Sequence, residues 1–418
     1  MPSVYSRPHT TNGDLGSLRV VHLITSLDVG GAERMLAKLV HSMDRQEFEP
    51  RVVTLSDDGL IAEHIRSLGI EVQSAGLRRG QFNPIALRQL VSILHDCQPD
   101  LIQSWMYHSN VAASLARPWL ASTTGIIWNI RQSLYNLSKE RYLTQAVIRS
   151  GVVLAPHADA VVNNSRVSLD QHAAFGYENR RQLVIPNGFE LEQFRPNSAA
   201  RDAFRAQLGI GERAIVVGIV ARVHPDKDHA MFFRAAEIAA RRDERLLFVC
   251  VGRDTDSNEQ FTSAMNGPLK GRLHLLGLRE DVPSIMAGFD LAISSSWTEG
   301  CPNSIGESMA CGLAVIGTDA GDTAAVIGDA GSVVARGDHG KMAEAIVAYA
   351  ALTATERRML GDAARDRIRT RYSIESIAAS YSALYREIYR ERQGHLQRKR
   401  SAKSAKQHGA AHNPLTVH

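Results

Sequence analysis

Cysteine is scarce. Cys97, Cys250, Cys301 and Cys311 are the only four in 418 residues, and no two form a CxxC pair. Thiols so few and scattered build neither a disulfide framework nor a structural zinc site, and are expected to be reduced. Long apolar runs are also missing. No stretch approaches the roughly 20 apolar residues of a membrane span. The segment Met1–Ser17 is polar and lacks the apolar centre of a secretory signal. The expected location is therefore cytoplasmic, or at most the inner face of the cytoplasmic membrane. Net charge is nearly absent as well, since 48 Lys and Arg against 44 Asp and Glu leave only +4. Five of those cations, Arg398, Lys399, Arg400, Lys403 and Lys406, lie between His395 and His418, where there is no acid, so the rest of the chain stands at −1. A near-neutral body has no electrostatic footprint for nucleic acid, and no such partner is expected.

What is present is an ordinary globular mixture, 44% hydrophobic and 22% charged, long enough for two to three domains. Short apolar runs rich in β-branched residues alternate with helical patterns. Arg19–Ile24, Arg51–Leu55, Ile70–Ser74, Leu101–Gln103, Ile126–Asn129, Ala160–Asn163 and Leu183–Ile185 read as strands. Ala214–Val220, Leu246–Val251, Arg272–Leu276, Leu291–Ser294, Ala314–Thr318 and Ser332–Ala335 repeat the pattern. Continuous apolarity over four to seven residues suits strands covered on both faces, as in a parallel sheet. The fold class is therefore α/β, with two Rossmann-like domains of parallel sheets facing a cleft. The division reads as a flexible N-terminus at 1–17, domains at 18–198 and 199–372, a terminal helix at 373–392 and an unstructured basic tail at 393–418. Hinges are expected near Pro196–Ala200 and Tyr372–Ile374.

Three loops carry chemistry. Asp28-Val29-Gly30-Gly31-Ala32-Glu33 follows the first strand and opens a helix. Its glycines permit close approach to the backbone, and a helix N-terminus offers free N–H groups, but the spacing is not that of a dinucleotide fingerprint. From this motif alone, a tight turn and a ligand loop are equally good readings. Arg222 and Lys227 stand five residues apart after the first strand of the second half. They could clamp a diphosphate from two sides, or form a solvated charged loop. The third loop, Ser294 to Glu307, places Glu299 before a helix and Glu307 inside it, with Gly300, Pro302 and Asn303 between. Two carboxylates so placed can accept hydrogen bonds from a polyhydroxyl ligand, although Glu307 could simply complement the helix dipole.

Together these motifs resemble the retaining glycosyltransferases of family 4, which have the two-domain GT-B fold. Glu299-Gly300-Cys301-Pro302-Asn303 with Glu307 reproduces the family's E-x7-E signature, and Gly30-Gly31, Pro186-Asn187-Gly188 and Arg222 with Lys227 support it. The resemblance runs from Arg19 to about Tyr389. It implies transfer of a sugar from a nucleotide-sugar donor to a hydroxyl of a lipid-linked or polysaccharide acceptor; a UDP-sugar is favoured over a GDP-sugar, and the sequence does not fix the base. It implies no cofactor and no metal. Arg222 and Lys227 would hold the diphosphate and Glu307 the ribose. Glu299 and His108 would lie at the transferred sugar. Gly30, Gly31, Gly300, Cys301, Pro302, Asn303, Ser304 and Leu278 would line the donor site, and Glu33 and Arg131 the acceptor side. The helix Ile374–Arg392 would cross back onto the first domain, against the alternative of a terminal helix on the second. Three positions depart from the family pattern: Cys301 is small, Arg253 replaces a glycine after Gly252, and Asp322 follows Gly321 where a second glycine is frequent. The alternatives are a nucleotide-sugar epimerase on the same fold and a protein that only binds. The tail could touch an anionic membrane surface, or be inert.

Overall fold

The computed structural model describes residues 17–410 apart from 29, 57, 78–83, 136 and 266. The N-terminal segment read as flexible falls, except for Ser17, outside the described residues, as does the tail from 411 onward.

The first domain runs β1 (Leu18–Ile24), α1 (Gly31–Ser42), β2 (Phe48–Thr54), α2 (Leu60–Ser67), β3 (Val72–Ser74), α3 (Pro84–Cys97), β4 (Leu101–Trp105), α4 (Met106–Ala116), β5 (Gly125–Ile130), α5 (Tyr142–Leu154), β6 (Ala160–Asn163), α6 (Arg166–Phe175) and β7 (Gln182–Val184). The second runs α7 (Ser198–Gln207), β8 (Ile215–Val220), α8 (His229–Arg242), β9 (Leu246–Val251), α9 (Glu259–Ala264), β10 (Leu273–Leu275), α10 (Val282–Ala287), β11 (Leu291–Ser294), α11 (Asn303–Ala310), β12 (Ala314–Thr318), α12 (Thr323–Ile327), β13 (Gly331–Val334), α13 (His339–Ala351) and α14 (Ala354–Arg371), and α15 (Ile374–Ala410) follows. The sheets have the orders β3-β2-β1-β4-β5-β6-β7 and β10-β9-β8-β11-β12-β13. Every named strand pair is parallel. Strand order reverses between β1 and β4 and between β8 and β11, and the loops beyond those points are where an open α/β sheet binds ligands.

The strands sit where the apolar runs place them, because each is covered by helices on both faces. Val20, Leu23, Val52, Val53, Leu101 and Ile102 are fully buried in the first domain, as are Val216, Val217, Phe248 and Val249 in the second. The helices α6, α7, α9, α10 and α12 were not anticipated. Of these α7 is instructive: the polar stretch Pro196–Ala200 looks like a hinge, but the Asn197 side chain accepts the Ala200 N–H at 3.0 Å and starts a helix. The chain segment at Phe189 and the one at Tyr372–Ile374, where the second hinge is expected, pair with one another. Phe189 donates to the Tyr372 carbonyl at 2.9 Å, and Ile374 donates back to the Phe189 carbonyl at 3.0 Å.

Helix α15 returns to the first domain. Ile374, Ile377, Ala378, Tyr381, Leu384, Tyr385 and Ile388 join the core built by β1, β2 and α1. This three- and four-residue spacing makes one apolar face. Buried hydroxyls fix its register. Tyr385 donates to Gln103 on β4, and Tyr381 accepts from Asn129 at 3.1 Å. The helix also runs on to Ala410, into the stretch expected to lack structure. Arg, Gln, Lys and Ala are strong helix formers, and no proline interrupts them before that point, so the helix propagates without a core. Tyr385→Phe removes a donor from a buried amide oxygen and should cost about 1–3 kcal/mol. Chemical denaturation should show this as a lower midpoint with an unchanged slope.

Candidate active site

The loops after β8 and β11 meet at Lys227 and Glu299. The Lys227 Nζ lies 2.5 Å from the Glu299 Oε1, and the Ser296 hydroxyl donates to the same oxygen at 2.7 Å. Both loops are tied by their backbones. Ser295 donates its hydroxyl to the Lys227 carbonyl at 2.8 Å, and Trp297 donates its N–H to the Asp226 carbonyl at 2.8 Å. The ammonium and the carboxylate are mostly enclosed, with side chains 27% and 11% exposed. Asp228, directly after Lys227, has φ 41°, while its carboxylate accepts the Met231 N–H and caps α8. A non-glycine residue in the left-handed region is strained, and such strain gathers at functional loops. Met106 (φ 68°) and Asp254 (φ 67°) share this property where the chain leaves β4 and β9. Arg222 is exposed, in the same loop after β8 that carries Lys227.

Three helices that follow strands of the two sheets begin without a side-chain cap. The helices α1, α4 and α11 follow Gly30, Trp105 and Pro302, and none has a side-chain cap. At α4 and α11 no capping side chain takes the first N–H groups, whereas at α1 the Glu33 carboxylate accepts a backbone hydrogen bond, and each helix start carries about half a positive charge. The starts of α1 and α11 face each other across the domains, since a Cβ on Gly31 would stand 3.6 Å from the Asn303 Nδ2. Pro302 is buried and supplies no N–H, so the donors of α11 begin at Asn303 and Ser304. The Glu33 carboxylate folds back over Gly30. Burial, then the nearby Asp28, push its pKa up, against a backbone hydrogen bond that lowers it.

Glu307 faces the first domain. Lys38 of α1 lies 3.8 Å from its Oε1 and 3.5 Å from the Oε2 of Glu190. Burial raises the Glu307 pKa, and Lys38 and Arg34 oppose that shift. Lys38 was not anticipated. Its signal is a lone cation inside the otherwise apolar run Met35–Val40, between the buried Ala37 and Leu39. His108 occupies the first turn of α4, half-buried, with its pKa lowered by burial and raised by Glu140. The adjacent Ser109 bonds Thr25 at 3.3 Å, which holds this turn beside the loop leaving β1. Leu278 is 68% exposed in the loop after β10.

Arg131, expected on the acceptor side, is engaged by protein partners. Its guanidinium donates to the Ile185 carbonyl at 3.2 Å, to the Tyr381 hydroxyl at 3.0 Å and to the Asn187 side chain, and it lies over the Trp105 ring. Asn187 in turn donates to the Cys301 carbonyl at 3.1 Å and to the Asn303 side chain at 2.7 Å. Arg131 is thus a tie between the first sheet, α15 and the crossing segment. Cys301 is buried, its sulfur beside the Asn187 N–H, so only its N–H could serve a donor. Arg253 is exposed, and its carbonyl accepts from Val223 at 3.0 Å. Among the described residues no three His, Cys, Asp or Glu side chains are grouped to hold a metal ion, and no helix is long and apolar enough to cross a membrane.

Two facing Rossmann-like domains, with cations and carboxylates at the switch point of the second, define a GT-B glycosyltransferase. Two family models match the chain: Glycosyltransferase Family 4 over residues 29–193 and Glycosyl transferases group 1 over residues 214–351. The chain belongs to this glycosyltransferase family. It is 27% identical over 319 residues to EpsF of Bacillus subtilis (strain 168), named as a glycosyltransferase, covering 72% of this chain and 79% of that one. It is 24% identical over 293 residues to the N,N'-diacetylbacillosaminyl-diphospho-undecaprenol alpha-1,3-N-acetylgalactosaminyltransferase of Campylobacter jejuni (subsp. jejuni serotype O:2), covering 67% and 76%. Among solved structures, Anabaena Alr3699/HepE in complex with UDP superposes with a TM-score of 0.77 at 21% identity, covering 88% of this chain and 100% of that one.

The position of Lys38 gives a pH dependence. Ionised, Glu307 can accept hydrogen bonds through both oxygens, whereas protonation turns one of them into a donor. Lys38→Met removes a cation that lowers its pKa, so the carboxylate protonates at higher pH. The acid limb of the kcat/KM profile should move to higher pH, while the alkaline limb stays in place.

Proposed function

We propose that the chain is a retaining, metal-independent hexosyltransferase that moves a sugar from a UDP-sugar to a hydroxyl of a lipid-linked or polysaccharide acceptor. The observation that carries this reading is the convergence of Lys227 and Glu299 with the uncapped N-termini of α1 and α11 across the cleft. Arg222 and Lys227 take the diphosphate, and the helix ends add N–H donors. Charge builds on the departing nucleotide as the glycosidic bond breaks, and preorganised cations stabilise that charge. Two side-chain cations supply this without a Lewis acid. Glu307 holds the ribose, and Glu299 a hydroxyl of the transferred sugar. The half-buried His108 reaches the reacting centre from the first domain. Neither Glu299 nor Glu307 is assigned beneath the anomeric carbon, which favours front-side attack through an ion pair over double displacement.

The relative from Campylobacter jejuni, named for a diphospho-undecaprenol acceptor, supports a lipid-linked substrate. The UDP bound in the Anabaena structure supports the donor base. A lipid-borne acceptor would place the enzyme in the cytoplasm, at the inner face of the membrane. There each basic residue of the C-terminal tail contributes on the order of 1 kcal/mol near anionic lipid. The matched families describe transferases, so the epimerase alternative is not carried forward.

A panel of nucleotide sugars followed by thermal shift identifies the donor, since a ligand at one hundred times its dissociation constant stabilises by about 2.7 kcal/mol. With that donor and a polyprenyl-diphosphate-linked acceptor, Arg222→Ala and Glu299→Ala should each lower kcat by at least about 10²-fold while melting as the parent does. The product's anomeric coupling constant should match the donor's. Full activity in both variants, or an inverted product, contradicts the reading.

A further inference from the structure

Asp322 is the departure from the family pattern that the donor chemistry does not use, and the structure gives it a partner in the other domain. Helix α6 of the first domain begins at Arg166, and its own cap, Ser165, accepts only the Ser168 N–H at 3.0 Å. The N–H groups of Arg166 and Val167 point out of the domain, and the Asp322 carboxylate receives both, at 2.7 and 3.2 Å. The second domain therefore finishes capping a helix of the first. A glycine at this position would leave both donors without a protein acceptor and remove a negative charge from the positive end of a helix.

The bond matters because of what Asp322 is joined to. Its N–H donates to the Gly300 carbonyl at 3.0 Å. Gly321, with φ 57°, packs so closely on the Glu299 carbonyl that no side chain would fit. The Tyr135 hydroxyl, from the first domain, accepts the Gly321 N–H at 3.1 Å and lies 3.4 Å from the Glu299 carbonyl. Ser133 donates to that carbonyl at 2.8 Å. Gly300 rests on Asn164, where a Cβ would come within 2.9 Å of the amide nitrogen. The backbone of Glu299 and Gly300 is thus gripped by three first-domain residues only while the domains stay together.

We infer that Asp322 is a positioning residue, an interdomain latch that keeps the first domain against the Glu299–Gly300 loop and so sets the Glu299 carboxylate for sugar transfer. The inference rests on the reading that Glu299 addresses the transferred sugar. The latch acts through domain contact and touches no ligand, so the second domain should bind nucleotide without it.

The full chain is compared as wild type, Asp322→Gly and Asp322→Asn, using the donor and acceptor found above. Asp322→Gly should lower kcat roughly fivefold, the equilibrium factor a side-chain cap is worth. The dissociation constant for UDP should not change, and small-angle scattering should show a larger radius of gyration without ligand. Asp322→Asn keeps one capping oxygen and should recover most of the rate and the compact scattering curve. Glu299→Ala, run beside them, separates two failures. Full transfer by Glu299→Ala overturns the site reading and this inference with it. Inactive Glu299→Ala beside wild-type kcat and scattering in Asp322→Gly overturns the latch alone.

Discussion

The active site is organised around one ion pair. Lys227 leaves the first strand of the second domain and Glu299 leaves its neighbour in the sheet, and the two side chains meet at 2.5 Å. Ser296, the Ser295 hydroxyl on the Lys227 carbonyl and the Trp297 N–H on the Asp226 carbonyl hold that meeting point. Without ligand, each charge is the other's counter-ion, so neither is left unpaired in a partly enclosed place. On the proposed function, a diphosphate would offer Lys227 a stronger partner and a sugar hydroxyl would offer Glu299 a donor. The pair would then store, in neutralised form, the two charges that the proposed transfer needs apart.

The remainder of the fold brings a second surface to that point. Parallel sheets end their strands on one side, and helices that start there present unpaired N–H groups. Leaving α1, α4 and α11 uncapped gives up local stability at three helix ends. Elsewhere α7, α13 and α14 begin with Asn197, Asp338 and Thr353, each accepting a backbone N–H, while α2, α5, α10 and α12 also begin without a side-chain cap. The first domain is held in place by α15, by the Lys38 bridge to Glu190 and Glu307, and by Arg131 and Asn187. Each of these is a contact between segments far apart in the chain.

That distance decides what could be read from sequence. Strands such as Leu246–Val251 and Ala314–Thr318 were legible to the residue, because burial on both faces writes itself as a continuous apolar run. The E-x7-E loop was legible because its residues are adjacent. The tying role of Arg131 was not legible because its partners Asn187 and Tyr381 lie 56 and 250 residues away. A cation at a strand end looks the same in sequence whether it waits for phosphate or binds two crossing segments. Lys38 and Asp322 were missed as contacts for a related reason: the groups they satisfy, Glu307 and the start of α6, belong to the opposite domain. The helix beyond Arg392 was missed because propensity alone carries it, with no apolar period to announce it.

The exchange of Lys227 from Glu299 to diphosphate is the central claim, and calorimetric titration with UDP tests it most directly. If Glu299 competes for the ammonium, Glu299→Gln should bind UDP more tightly than the wild type. That gain should vanish when Lys227 is also replaced by Ala. A UDP affinity indifferent to Glu299→Gln, or a gain that survives in the Lys227→Ala background, would contradict the account.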